Sequence, residues 1–156
     1  MAKGNEPGPA QPQPTWPDEL FEALSAAGVR QVGYVPDAGH TRLIDRCLAD
    51  NRMKAVRLTT EEEGVALATG AWLGGERTAL LMQSSGVGNC INMLSIVEEC
   101  RVPLLLLVTM RGDWGEFNPW QVPMGQGTPS ALENAGVIVK TVDDASRVAE
   151  TAQAAA

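Results

Sequence analysis

Apolar residues fall in two alternating rhythms from Trp16 onward, and the alternation predicts the elements in turn. Trp16-Pro17-Asp18 sets up a helix start, with Pro early and acids in the first turn, and the helix through Leu20, Phe21 and Leu24 stops at Gly28. The short β-rich run Val32 to Val35 precedes a helical stretch around Leu43, Ile44, Cys47 and Leu48. A strand near Ala55 to Leu58, a helix from about Glu61 to Leu73 and a strand from Thr78 to Met82 follow. Then come a helix from about Asn89 to Glu98, the strand Val102 to Thr109, a last strand Val137 to Thr141, and a closing helix from Asp143. Strands that are apolar on both faces and alternate with helices predict a mostly parallel sheet in a three-layer α/β/α, flavodoxin-like fold. Crossovers are expected to be right-handed, and ligands lie beyond the carboxyl ends of such strands.

Residues 1–15 are rich in Pro, Gly and Gln with little to bury, and are expected to form a flexible tail; 16–156 make one domain. The balance of 12 basic against 19 acidic residues gives a net charge of −7, which disfavours nucleic acid and anionic membrane surfaces. Cys47, Cys90 and Cys100 form no CxxC or Cys/His cluster, so buried packing as reduced thiols in a cytoplasm is expected, without a disulfide scaffold or metal site.

The segments after the strands are where chemistry is expected. Glu61-Glu62-Glu63 open a helix directly after a strand; complementing the helix dipole explains two of them. Successive residues at a helix start point about 100° apart, so one acid can face inward. Gly64, Ala66, Ala68, Gly70 and Ala71 keep the helix slim, and Glu61 is the candidate. Gln83 to Asn89 reads QSSGVGN, a turn whose GxG could approach a phosphate; the full GxGxxG spacing fails, because Ile91 stands where the third Gly belongs, and a dinucleotide site is disfavoured. The stretch Arg111 to Gln126 carries Trp114, Phe117 and Trp120 and is long for a compact domain; it either packs on a partner chain or covers a site. Arg111 suits an anionic group or an ordinary salt bridge. His40, the single histidine, is either a surface loop residue or part of a site.

Taken together, VGYVPDAG, TTEEEGVALATGAWLGG, MQSSGVGNCINML and VPLLLLVTMRG resemble the pyrimidine-binding (PYR) domain of thiamine diphosphate (ThDP)-dependent 2-oxoacid decarboxylases. The most specific element is an acid nine residues ahead of the Gly of a small-residue helix, Glu61 to Gly70. The PDA loop, the QxSGxGN turn and WQVPMGQGT are most similar to the sulfopyruvate and phosphonopyruvate decarboxylases, the last run to the alpha subunits of split enzymes. The resemblance implies that Glu61 hydrogen-bonds the aminopyrimidine N1′ and favours its imino tautomer, whose nitrogen then takes the thiazolium C2 proton. It implies Asp37, His40 or the partner chain for proton handling, since the His pair of simple pyruvate decarboxylases is missing. Ser84, Ser85, Gly86, Gly88 and Asn89 become cofactor contacts, and Gln83 and Arg111 substrate contacts. No GDG…Asn-Asn motif occurs, so Mg²⁺ and the diphosphate are expected on a separate beta subunit. The implied function is the alpha subunit of a heteromeric sulfopyruvate decarboxylase that yields sulfoacetaldehyde for coenzyme M. The alternatives are another anionic 2-oxoacid such as phosphonopyruvate, or a non-catalytic metabolite-binding domain of the same fold.

Overall fold

The computed structural model describes residues 15–156; the expected tail falls outside these except for Thr15. Four parallel strands form one sheet among the described residues: β1 (Val29–Tyr34), β2 (Lys54–Arg57), β3 (Arg77–Gln83) and β4 (Leu105–Thr109), in the order β2-β1-β3-β4. Around it lie α1 (Trp16–Ala26), α2 (Thr41–Ala49), α3 (Glu61–Leu73), α4 (Ser84–Cys90), α5 (Leu94–Cys100), α6 (Val122–Asn134) and α7 (Val148–Ala155).

Central β3 shows why the fold has three layers. Residues 78–82 are all buried, and their alternating side chains feed two separate cores. Ala79 and Leu81 join Leu20, Phe21 and Leu24 of α1, Leu43 and Cys47 of α2, and Ala152 of α7. Leu80 and Met82 join Val65 of α3, Val87 and Cys90 of α4, Leu94 of α5 and Leu132 of α6. A continuous apolar strand is the signature of a sheet covered on both faces.

Element ends follow local chemistry. Thr15 and Asp18 form a capping box at the start of α1, and Gly28, at φ +83, carries the chain out after Ala27. Asp37 caps the short 3-10 turn Ala38–His40 ahead of α2.

Three departures from the sequence pattern have physical reasons. The run Gln83 to Asn89, expected as a turn, is helical from Ser84 onward, and turn residues 91–93 divide the expected single helix into α4 and α5. Residues 137–141, expected as a strand, join no ladder. Val137 and Val139 pack on the second core while Ile138 is 85% exposed, so the period of two marks an extended chain lying on a surface rather than a paired one. The aromatic loop is shorter than expected, because Pro119 opens a 3-10 turn and Pro123 begins α6. Cys47 and Cys90 are buried as expected, whereas Cys100 is exposed at the end of α5, where it faces neither core.

The slim helix α3 offers a paired test. A Cβ at Gly64 would sit 2.2 Å from Leu80 Cδ1 and 2.9 Å from Leu58 Cδ1, whereas one at Gly70 would meet nothing within 4 Å. Gly64→Ala is therefore expected to destabilise by about 1–3 kcal/mol through overpacking. Gly70→Ala should stabilise by about 0.4–1 kcal/mol through helix propensity and chain entropy. Urea melts of the two variants check the opposite signs.

Candidate active site

Parallel strands deliver their carboxyl ends to one edge, and every sequence-predicted site residue lies on a segment leaving that edge. After β2 the chain stays extended through Thr60 and then turns into α3, which sorts the three acids by direction. Glu63 folds back to accept the Thr59 N–H at 2.7 Å, a local cap. Glu62 is exposed. Glu61 points inward and is 8% exposed.

The inward carboxylate is met by α4. Its Oε2 accepts from Asn89 Nδ2 at 2.9 Å. Gly86 presents bare backbone, where a Cβ would fall 2.4 Å from the Glu61 carboxyl carbon. Glycine here serves close approach of a helix to an acid. Nearby Cys90 is pushed up to about 12 by burial first and then by the Glu61 and Glu62 charges, so it stays a neutral thiol.

The remaining members of this segment divide. Ser84, fully buried, donates to the Arg111 carbonyl at 2.6 Å and accepts the Arg111 N–H at 3.0 Å, fastening α4 to the chain beyond β4. Ser85 lies against Gln83 Oε1 at 3.5 Å. Gly88 is exposed, with Met124 Sδ beside it.

A second polar cluster gathers on Asp37. Its Oδ1 accepts from the Gly39 N–H at 3.1 Å and from Gln83 Nε2 at 2.8 Å; its Oδ2 accepts from Thr109 Oγ1 at 2.5 Å. One carboxylate thus ties together the ends of β1, β3 and β4. Burial works to raise its pKa, but the contacts from His40, Thr109, Gln83 and the Gly39 amide outweigh it and hold the group well below the usual carboxylate range. His40 is 3% exposed, because the 3-10 turn folds the ring inward. Its Nδ1 lies 3.1 Å from Asp37 Oδ2. Thr109 escaped the sequence reading; its signal was a lone hydroxyl closing an apolar strand at the ligand-facing end.

Arg111 is engaged by its own loop. Its Nε donates to Glu116 Oε2 at 2.9 Å, and Glu116 Oε1 also accepts the Asn118 N–H at 2.9 Å. Arg111 and then the Asn118 amide lower the Glu116 pKa. The loop bears Trp114 (95% exposed), Phe117 (83%) and, in the 3-10 turn after it, Trp120 (70%). Gly112, at φ +89, and Gly125 hold its base by backbone contact: a Cβ on Gly112 would lie 2.1 Å from the Gln121 carbonyl oxygen. Among the described residues no group of three or more His, Cys, Asp or Glu is placed to hold a metal ion, and no helix is long and apolar enough to cross a membrane.

Asp37 generates a prediction about acid stability. Its folded pKa lies below the value of 3.8 for a free Asp, so its stabilisation is whole above that value and is lost as pH falls further toward the folded pKa. Asp37→Asn is expected to cost about 1–3 kcal/mol near neutral pH, since some donors face an amide NH2 instead of a carboxylate. Thermal melts should show this gap constant down to roughly pH 5 and narrowing below about pH 4.

Comparison with known proteins identifies the family. Residues 15–116 match the family model for the thiamine pyrophosphate enzyme N-terminal TPP binding domain. The sulfopyruvate decarboxylase subunit alpha of Methanococcus maripaludis is 37% identical over 139 residues, 86% of this chain and 83% of that subunit. The phosphonopyruvate decarboxylase of Streptomyces viridochromogenes is 34% identical over 88% of this chain but only 35% of its own length. Among solved structures, the 2-oxoglutarate:ferredoxin oxidoreductase of Magnetococcus marinus superposes with a TM-score of 0.68 at 16% identity, over 99% of this chain and 29% of that one, a likeness of fold. The chain belongs to the thiamine pyrophosphate enzyme family, as its pyrimidine-binding N-terminal domain.

Proposed function

We propose that this chain is the alpha subunit of a ThDP-dependent sulfopyruvate decarboxylase, converting sulfopyruvate to sulfoacetaldehyde and CO2 for coenzyme M assembly. The observation that carries the reading is Glu61, an acid turned inward at the entrance of α3 on the edge where the strands end. The residues present fit an aminopyrimidine: one carboxyl oxygen is held by Asn89 and the other has no partner among the described residues. When bound, ThDP supplies the electron sink for the carbanion left as a 2-oxoacid loses CO2.

Glu61 holds and returns a proton at the ring N1′ and orients the ring. Asp37 keeps its charge and fixes the surrounding side chains, which suits it to anchor His40 while His40 exchanges protons with the reacting substrate. Gln83 and Arg111 face the anionic tail; Arg111 shares its guanidinium with Glu116, so it offers the substrate only its remaining donors. Ser85, Gly88 and Asn89 border the cofactor, whereas Ser84 and Gly86 act from beneath by bracing α4.

Relatives of this chain are named as alpha subunits, which implies an assembly with another subunit. In this reading that subunit binds Mg²⁺ and the diphosphate, and the hetero-oligomer works in the cytoplasm, where the three free cysteines stay reduced. Similarity to the Streptomyces enzyme supports phosphonopyruvate as the second candidate substrate.

Reconstituted with its diphosphate-binding subunit, the Glu61→Gln chain is expected to lose on the order of 10²–10⁴ in kcat while keeping its far-UV circular dichroism. Unchanged turnover would refute the reading. The ratio of kcat/KM for sulfopyruvate to that for phosphonopyruvate, measured on the unaltered complex, decides between the substrates.

A further inference from the structure

Helix pairs commonly meet through apolar side chains, yet α3 and α4 meet around a carboxylate. Two residues of α4, three positions apart and therefore on one face, contact it in different ways. Gly86 closes against the carboxyl group through its bare backbone, while Asn89 donates Nδ2–H to Oε2 at 2.9 Å. Oε1 has no hydrogen-bond partner among the described residues and lies beside Gly86, where a Cβ would fall 2.4 Å from it. The two oxygens of one acid thus stand in unlike surroundings.

The chemistry of the amide makes that difference matter. Its nitrogen can only donate. A proton placed on Oε2 would set O–H against N–H and break a charge-assisted bond. Turning the amide over would set Oδ1 against Oε2, oxygen against oxygen, whenever Glu61 is ionised. With the amide nitrogen turned to Oε2, as it is here, the exchangeable proton is driven to Oε1. The amide is also neutral across the working pH range, so it does not compete for that proton, as an acid at the same position would. Asn89 is exposed overall, and Val87, Gly86 and Cys90 carry the packing of α4, so its hydrogen bond is not a by-product of core assembly.

We infer that Asn89 is a positioning residue that confines the exchangeable proton of Glu61 to Oε1, the oxygen that meets the ring nitrogen of the bound aminopyrimidine. The inference rests on the assignment of Glu61 proposed above and extends it to the group that makes the acid directional.

The test uses the complex with the diphosphate-binding subunit, loaded with ThDP and Mg²⁺, and follows exchange of the cofactor C2 proton for deuterium by NMR after acid quench. No substrate turnover enters this readout. Asn89→Ala is expected to slow exchange about ten- to hundredfold, the value of one hydrogen bond to a charged group. Asn89→Asp, nearly the same shape, should slow it more by facing Glu61 with a second carboxylate. Both variants leave an inward carboxylate short of a donor, so their thermal midpoints should fall, and exchange is measured well below them. If both variants exchange at the unaltered rate while Glu61→Gln is slow, the role of Asn89 is wrong and Glu61 stands. If Glu61→Gln itself exchanges normally, the site assignment falls and this inference with it. Slowing that is equal in the two variants would mark Asn89 as mere support and overturn its positioning role.

Discussion

A carboxylate pressed against the backbone of a neighbouring helix constrains everything around it. Glu61 can lie inward only because residue 86 lacks a side chain, and α4 can come that close only because Ser84 hooks its first turn to the main chain at Arg111. The slimness of α3 belongs to the same arrangement: Gly64 lets it settle onto Leu80, which sets the depth at which its first residue emerges. Removing water from an acid is costly unless its oxygens find donors, and Asn89 supplies one. Packing and polarity are therefore not separable in this corner.

Asp37 does different work with the same chemical group. It draws donors from the ends of β3 and β4 and from its own 3-10 turn after β1, so it behaves as a rivet of the carboxyl edge and holds its charge. Glu61 has a single donor and an oxygen to spare. Two buried acids on one edge thus divide into a fixed one and a free one, and the difference lies in how many hydrogen bonds each receives.

Much of this was legible in the residues, and the rest was hidden for identifiable reasons. The sheet and the span of α3 showed because strands buried on both faces and a helix of small residues leave strong patterns; helix geometry allowed one of three acids to face inward, and the family resemblance singled out Glu61. The helical state of Ser84 to Asn89 did not show, because two glycines in six residues carry turn propensity and the tertiary contact with Glu61 works against it. Val137 to Thr141 misled in the opposite sense: alternation records which side faces the core and is silent about ladder partners. The burial of His40 depends on where a one-turn helix aims its last residue, a detail no local pattern encodes.

The base of the aromatic loop is secured through main-chain atoms, by the Ser84–Arg111 pair and by Gly112 and Gly125 lying against neighbouring backbone, while the rings of Trp114 and Phe117 stand free at its tip. Anchor and display are therefore modular. Exchanging the rings for other side chains would recolour that face of the molecule while leaving the geometry around Glu61 and Asp37 as it is.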